Sequence, residues 1–177
     1  MADPSAAAEF RDRLTFDSAA GAILDQTRRY LLIRPDSLMG IFARLPAAAR
    51  QEALAAMEDA VFEHGSDSAR AYRASGAGDA RALVALIERT APQLGWGRWS
   101  FTFEPGRLVL TVSNSPFAQG YGAASEPVCH AIKGMLRAVA AMVFEAPADA
   151  CEPACAACGA NECRFEARPV TGTGPAP

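Results

Sequence analysis

The distribution of cysteine constrains this chain more than any other sequence feature. Four of its five cysteines lie between positions 151 and 163, and the fifth, Cys129, lies at the start of a predicted long helix. In a cytosolic chain, clustered cysteines indicate a metal site rather than disulfides. The cluster therefore predicts that a metal ion ties the C-terminal region together.

Two ligand sets fit the preference of zinc for four Cys, His or carboxylate ligands. The local set is Cys151, Cys155, Cys158 and Cys163, and the long-range set is Cys129, Glu152, Cys155 and Cys163. The long-range set is attractive because a helix start stabilises a thiolate at Cys129 and the metal would join that helix to the C-terminal hairpin. Spacing alone leaves both sets open, as well as a metal-free packing of small buried cysteines. An iron–sulfur triad of the radical type is excluded because no barrel pattern follows the cysteines.

The length and the composition of the chain predict one domain with a hydrophobic core. The chain has 177 residues, of which 50% are hydrophobic, and a net charge of -3 that excludes a basic nucleic-acid-binding surface. No apolar run reaches the length of about 18 residues that a transmembrane helix needs, and no secretory signal begins the chain. We expect a cytoplasmic protein with a flexible leader at 1–10, a single domain at 11–168 and a disordered tail at 169–177.

Hydrophobic periodicity predicts an α+β domain in the order ββααα-ββ-α-ββ, with an antiparallel sheet packed with helices. Two short strand-like runs, Gly21–Asp25 and Arg28–Ile33, form a predicted hairpin. Alternation in 96–103 and 107–112, across a turn of Glu104-Pro-Gly-Arg107, predicts a second and clearer hairpin. A last strand is expected at 163–167.

The predicted helices begin at residues that suit helix starts. Asp36 should cap the first helix, Pro46 should begin a second that ends near Gly65, and Asp79 should cap a later one. A short extra helix is expected at 69–72. We expect a loop at 114–124, after which Ser125 or Glu126 caps the long helix.

Three blocks of this sequence resemble a known family. They are Arg29-Tyr-Leu-Leu-Ile-Arg-Pro-Asp-Ser-Leu-Met-Gly40, Ser125-Glu-Pro-Val-Cys-His130, and the segment from Cys151 to Phe165. The last block is similar to the Glu-x-x-Cys-x-x-x-Gly-x-x-x-Cys-x-Phe ending of the 4-vinyl-reductase domain. The chain therefore resembles a 4-vinyl-reductase domain from about Gly21 to Phe165.

This resemblance implies a structural zinc ion held by Cys129, Glu152, Cys155 and Cys163, with Arg164 or Arg168 offsetting the negative charge. It implies a fold similar to that of TRAPP trafficking subunits and haem-type nitric-oxide sensors. It also implies a hydrophobic or planar small-molecule ligand and a homodimer. Cys151 and Cys158 fall outside the pattern, so either could replace Glu152 as a ligand.

The resemblance also implies a ligand pocket between sheet and helices, whose walls would be apolar. His130 or His64 could be an axial ligand, and Met142 could join the walls. Alternating strands need an apolar face in any case, so the strand aromatics also fit a simple core. The candidate ligand-binding residues are Trp96, Trp99, Phe101, Phe103, Phe117, Tyr121, His130 and Met135.

Two branches of the family suggest functions for this chain. The first is binding or carrying a tetrapyrrole intermediate of bacteriochlorophyll synthesis, with a pathway enzyme as partner. The alternative is a stand-alone sensor of a small aromatic or hydrophobic compound, since a chain of this length has no room for the ATPase and DNA-binding domains of an activator. A third interpretation is an interaction protein with a vestigial pocket. The reductase activity in the family name stays open, because no dinucleotide-binding motif or P-loop supplies a reductant site.

Overall fold

A computed structural model of the chain describes residues 10–74 and 79–170; for residues 66–74 it describes the backbone. The predicted leader up to residue 9 and the tail from residue 171 lie outside the described residues. The helices and strands, in chain order, are α1 (Phe10–Arg13), β1 (Thr15–Asp17), β2 (Ala22–Asp25), β3 (Arg28–Tyr30), α2 (Pro35–Ala43), α3 (Ala47–Ala74), α4 (Ala80–Gln93), β4 (Arg98–Glu104), β5 (Arg107–Ser113), α5 (Pro116–Tyr121), α6 (His130–Val143), β6 (Ala148–Ala154) and β7 (Cys163–Pro169).

The strands form two antiparallel sheets in the described part of the chain. The N-terminal sheet has the order β1-β2-β3, and the C-terminal sheet has the order β4-β5-β7-β6. The predicted α+β class with antiparallel strands and packed helices is confirmed. Both predicted hairpins form. In the first, β2 pairs with β3, which ends at Tyr30 rather than at the predicted Ile33, and in the second, β4 pairs with β5 from Arg98 opposite Ser113 to Glu104 opposite Arg107.

The core lies between the C-terminal sheet and α6. The alternating residues Leu108, Leu110 and Val112 of β5 are fully buried, as is Phe165 of β7, which pairs with Leu110. On α6 the apolar stripe of Ile132, Leu136 and Val139 is fully buried as well. Two amphipathic surfaces thus meet in one continuous core.

Helix α3 packs along the other side of α6 at very short range. A Cβ atom at Gly134 would lie 2.2 Å from the backbone oxygen of Glu58, so only glycine allows this approach. Glu58 is buried, and its carboxylate contacts His130, Lys133 and Arg137 of α6. The two helices are therefore held by backbone proximity and by a buried ion-pair network.

Several predicted helix boundaries differ from those of the structure. Helix α2 begins at Pro35 after Arg34, and Asp36 pairs with Arg34 instead of capping. Helix α3 passes through Gly65 and continues to Ala74, so the predicted short helix at 69–72 is part of α3. Helix α6 begins at His130 rather than after Ser125 or Glu126. The Asp79 cap is confirmed, since its carboxylate accepts a hydrogen bond from the Ala82 amide at 2.8 Å.

Three short elements, α1, β1 and α5, were not predicted. The expected loop at 114–124 contains α5, which starts at Pro116 and is capped by the Ser115 hydroxyl. Strand β6 was expected as the partner of the last strand but without bounds, and it pairs with β7 across a bulge between Cys151 and Ala154. Strand β1 is short and largely exposed. Within the described residues, no helix has both the length and the apolar character needed to cross a membrane.

Candidate metal centre

Three separate elements place four potential ligands together at one end of the C-terminal sheet. Cys129 is the residue immediately before α6, and Cys163 is the first residue of β7. Glu152 lies on β6, and Cys155 follows that strand at the start of a short 3-10 turn, Ala156–Cys158. The three cysteines are buried, and Glu152 is largely so.

The period of strand β6 decides which way its side chains point. Burial alternates along β6, so that Ala148, Ala150 and Glu152 lie on the inner side while Asp149 and Cys151 are exposed. Cys151 is therefore outside the cluster, and Cys158 is exposed on the 3-10 turn. The local set of four cysteines is not assembled; the long-range set is.

The four ligand atoms lie close enough together to bind one metal ion. All of them lie within 4.8 Å of one another, with the Cys129 sulfur 3.7 Å from that of Cys163 and 3.9 Å from that of Cys155. These separations are too long for disulfides, whose sulfurs are about 2.05 Å apart. They match the edge of about 3.8 Å that zinc–sulfur bonds of about 2.3 Å produce in a tetrahedron.

Glu152 provides an independent test of whether a cation fits. One carboxylate oxygen, Oε2, accepts a hydrogen bond from the Cys129 amide at 3.1 Å. The other, Oε1, is buried and has no hydrogen-bond partner among the described residues. A buried oxygen without a partner is costly, and a metal ion bound by the neighbouring thiolates would satisfy it.

The protonation of the metal-free cluster follows from crowding and burial. Hydrogen bonds to the neighbouring sulfurs of Cys155 and Cys163, together with burial, raise the pKa of Cys129, whereas the hydrogen bonds from Cys129 and Cys163 lower the pKa of Cys155. Burial and the nearby Cys155 thiolate raise the pKa of Glu152 to about 8. Negative charges so close together cannot all persist without a cation, and a divalent metal reverses this balance.

Two neighbours can orient the sulfur ligands. The Ala156 amide donates a hydrogen bond to the Cys163 sulfur at 3.3 Å, and the Ser115 hydroxyl lies 3.3 Å from the Cys129 sulfur. Such contacts hold thiolates in place in metal sites. The expected charge compensation by Arg164 or Arg168 is not observed, because both guanidinium groups pair with Glu166.

Four of the predicted ligand-binding residues form one aromatic cluster, which consists of Trp96, Trp99, Phe101 and Phe117. The Trp96 ring lies 5.2 Å from that of Phe117 and 6.4 Å from that of Trp99, and the Trp99 ring lies 6.0 Å from that of Phe101. Trp99 is buried and donates its indole N–H to the Trp96 carbonyl, whereas Trp96 and Phe101 are partly exposed. The aromatic cluster thus extends from the buried core to the solvent-accessible surface.

The other candidates lie elsewhere. Phe103 is 37% exposed under the Arg81 guanidinium, and Tyr121 contacts Arg50 through its hydroxyl. His130 lies 3.1 Å from Glu58, and Met135 packs against Gly65. Among the described residues these side chains do not join the aromatic cluster in ring contacts.

The sequence reasoning missed Glu58, Ser115 and a surface groove. Glu58 occupies a position of the apolar stripe of α3 between Leu54 and Val61, and a carboxylate there is a signal of a buried ion pair. The groove has a volume of about 720 Å³ and opens to solvent. Small and polar residues line it, from α5, the loop that follows α5 and the 3-10 turn beside the metal cluster.

Comparison with known proteins shows which proteins this chain is similar to. Residues 108–169 match the sequence model of the 4-vinyl-reductase domain. The crystal structure of the phenol-responsive sensory domain of the transcription activator PoxR with phenol is similar at a TM-score of 0.71 and 20% identity, over 89% of this chain and 85% of that chain. A trafficking protein particle complex subunit 3 from Naegleria fowleri, covalently bound to palmitic acid, is similar at a TM-score of 0.54 and 13% identity, over 76% of this chain and 93% of that chain.

A vinyl-4-reductase family protein from Methanocaldococcus jannaschii aligns at a TM-score of 0.46 and 15% identity, over 77% of this chain and 90% of that chain. The search of curated proteins found no match. The two more similar structures share the fold, and the matched segment contains the whole Cys129, Glu152, Cys155 and Cys163 cluster.

Proposed function

Because residues 108–169 of this chain match the 4-vinyl-reductase domain, we propose that it is a small-molecule-binding protein that takes a small aromatic or hydrophobic ligand, is stabilised by zinc and acts as a homodimer. The observation that carries the ligand proposal is the aromatic cluster, which provides flat apolar surfaces that are partly accessible from solvent. The similarity in fold to a sensory domain solved with phenol supports the same class of ligand.

Zinc is the metal that the donor set favours. Three thiolates and one carboxylate in a tetrahedral arrangement suit zinc, and four protein ligands leave no position for substrate. Cys129, Glu152, Cys155 and Cys163 would hold the ion, which would link α6 to β6 and β7. The role of the metal in this proposal is structural.

Tryptophan fluorescence tests the ligand proposal directly. Both tryptophans of the chain belong to the aromatic cluster, so their emission reports binding there. We expect saturable quenching or a spectral shift with at least one member of a panel of phenols and arenes. Phe101→Ala should weaken binding about tenfold through lost ring contacts, whereas Phe103→Ala, on a ring outside the cluster, should leave it unchanged. No response to any panel member at millimolar concentration would contradict the proposal.

A tetrapyrrole is the second candidate ligand, and the groove beside α5 favours it. Its volume of about 720 Å³ is within the range of ligand sites and exceeds what a single aromatic ring needs. An open groove also suits a carrier that passes an intermediate to a pathway enzyme. Neither His130 nor His64 lines the groove, so an axial histidine has no part in this version of the proposal.

An absorption titration separates the two ligands. Magnesium protoporphyrin or a divinyl chlorophyllide should shift its main band in a saturable, stoichiometric way if the groove binds a tetrapyrrole. A phenol-type response without such a shift would favour the aromatic ligand. Addition of a nicotinamide or flavin reductant to the tetrapyrrole complex would then reveal any turnover of the vinyl group.

A further inference from the structure

Cys158 is an exposed thiol beside the buried metal cluster, and the proposed function gives it no role. It is the last residue of the 3-10 turn, and the residue that precedes this turn is the candidate metal ligand Cys155. The two cysteines therefore form a Cys-Ala-Ala-Cys sequence in which one thiol is buried and the other is open to solvent. Cysteines with this spacing are typical of reversible disulfides as well as of metal sites.

The 3-10 turn holds the two cysteines at a distance that a disulfide can span. The Cys158 amide donates a hydrogen bond to the Cys155 carbonyl at 2.9 Å. A turn closed between residues i and i+3 keeps their Cα atoms less than about 7 Å apart, and disulfides join Cα atoms that are about 4.4–6.8 Å apart. Desolvation and the negative charge of Cys155 raise the pKa of Cys158, so the two side chains interact across the turn. A bond between their sulfur atoms therefore needs little movement of the backbone.

The surface groove gives small molecules access to Cys158. This residue is one of those that line the groove, which has a volume of about 720 Å³ and opens to solvent. Cys155, by contrast, is 2% exposed and belongs to the buried cluster with Cys129 and Cys163. A soluble oxidant that enters the groove therefore meets Cys158 before any sulfur atom of the cluster.

Cys151, the other exposed thiol, lies in different surroundings. It is on the outward side of β6, in register with Glu166 of β7, and it does not line the groove. The bulge between Cys151 and Ala154 separates it from the 3-10 turn. Cys151 is therefore a matched control, because it is an exposed cysteine near the cluster that the turn does not hold against a metal ligand.

We propose that Cys158 is a redox-sensitive modification site, at which a peroxide joins it to Cys155 and thereby removes one ligand from the metal. The oxidant is hydrogen peroxide or an organic hydroperoxide that reaches the thiol through the groove. This proposal rests on the zinc site of the proposed function, but not on the identity of the small-molecule ligand.

The atoms and electrons of this reaction balance in two steps. In the first, the Cys158 sulfur attacks one peroxide oxygen and the O–O bond breaks. Cys158 becomes a sulfenic acid, and its proton leaves with the other oxygen as water or an alcohol. In the second, the Cys155 thiolate attacks the sulfenic sulfur, so that the S–S bond forms, the S–O bond breaks and hydroxide leaves to become water. The two sulfur atoms together lose the two electrons that reduce the peroxide.

The disulfide changes what the buried cluster can hold. A thiolate is the form of cysteine that binds metal, and Cys155 ceases to be one. Cys129, Glu152 and Cys163 remain, which is one ligand fewer than a closed tetrahedral zinc site needs. Oxidation should therefore release the metal and remove the stability that metal binding gives the fold.

The test follows zinc release from the reduced, zinc-loaded full chain with a chromogenic zinc indicator after addition of hydrogen peroxide. Wild-type protein should release about one zinc per chain. Cys158→Ser should release zinc at least about tenfold more slowly, because buried structural cysteines resist oxidation. Cys151→Ser should release zinc at the wild-type rate. All three proteins should contain the same amount of zinc before oxidation, since both substitutions are at exposed residues.

Peptide mapping without reduction identifies the bond that forms. After alkylation of free thiols, oxidised wild-type protein should contain a disulfide between Cys155 and Cys158, with Cys129, Cys151 and Cys163 alkylated. Dithiothreitol followed by zinc should restore the metal content and the melting temperature, because thiol–disulfide exchange reverses a disulfide. A sulfinic acid would not recover in this way.

The outcomes separate this proposal from the zinc site itself. Reduced wild-type protein without zinc would overturn both together. Equal rates of zinc release from wild type and Cys158→Ser would overturn the proposal and leave the zinc site standing. A disulfide between Cys158 and Cys151 or between two chains would do the same, as would a sulfinic acid at Cys158 with zinc retained. None of these outcomes alters the fluorescence test for the aromatic ligand.

Discussion

At the scale of a single residue, Cys155 has two roles. It is a potential metal ligand, and it is also the residue that caps the start of the 3-10 turn after β6. We predict about one zinc per wild-type chain by elemental analysis. Cys155→Ser should lose the metal and lower the free energy of unfolding by several kcal/mol, since metal binding is coupled to folding. Thermal unfolding monitored by circular dichroism measures this effect.

The exposed cysteines offer a matched control for that substitution. Cys151→Ser and Cys158→Ser alter thiols outside the buried cluster, so the zinc content should be unchanged. The free energy of unfolding should stay within about 0.5 kcal/mol of the wild-type value. Iron in place of zinc, or an unchanged melting temperature for Cys155→Ser, would argue against the structural zinc site.

At the scale of elements, the contact between α3 and α6 depends on the absence of a side chain. In Gly134→Ala the new Cβ would lie 2.2 Å from the Glu58 backbone oxygen, so one helix must shift. We predict a loss of roughly 1–3 kcal/mol in the free energy of unfolding, as in other overpacked cores, measured by chemical denaturation.

The same interface provides a control glycine. In Gly65→Ala the nearest atoms are the Met135 sulfur and terminal carbon at 3.1 Å, and these belong to the flexible end of a side chain. The better helix propensity of alanine offsets this contact, so the change should remain within about 1 kcal/mol of zero. Equal destabilisation by the two substitutions would contradict the proposed role of close backbone approach.

At the scale of the whole molecule, the buried Glu58 network should make stability depend on acid. Although burial opposes ionisation, hydrogen bonds and ion pairs with His130 and Lys133 lower the pKa of Glu58 from 4.5 to about 2. The carboxylate therefore stabilises the fold above pH 4.5, and this contribution is lost as the pH falls towards 2. The loss should amount to about 3 kcal/mol.

Glu58→Gln isolates that contribution. Its free energy of unfolding should decline less steeply than that of wild type between about pH 5 and 2, because amide side chains do not titrate in this range. Acid release of metal affects both proteins and cancels in the difference. Parallel pH profiles for the two proteins would show that Glu58 is not the titrating group.

Some of the wrong predictions share a physical origin. The β4–β5 hairpin and the Asp79 cap are local, since alternation and a side-chain hydrogen bond within three residues suffice. The start of α6 is different, because the carboxylate of Glu152, from another strand, holds the Cys129 amide there. Helix α5 likewise depends on a close approach, in which a Cβ at Gly120 would lie 2.4 Å from the Pro35 oxygen.

The resemblance to the 4-vinyl-reductase domain is confirmed by the match of residues 108–169 and by the shared fold. Two of the three sequence blocks that suggested it lie wholly inside that range, whereas the block that begins at Arg29 lies outside it. The aromatic residues were predicted as one group of ligand contacts, but the structure divides them between one cluster and isolated positions.

The sequence by itself determined the α+β class, the main hairpin and the residue types available for a metal, because periodicity and composition act locally along the chain. Only the tertiary structure decided between the two ligand sets. The period of β6 points Glu152 inward and Cys151 outward, and the packing of α6 brings Cys129 to Cys155 and Cys163. The sequence does not encode such distances between remote residues in its spacing, since they arise when separate elements bury their apolar faces together.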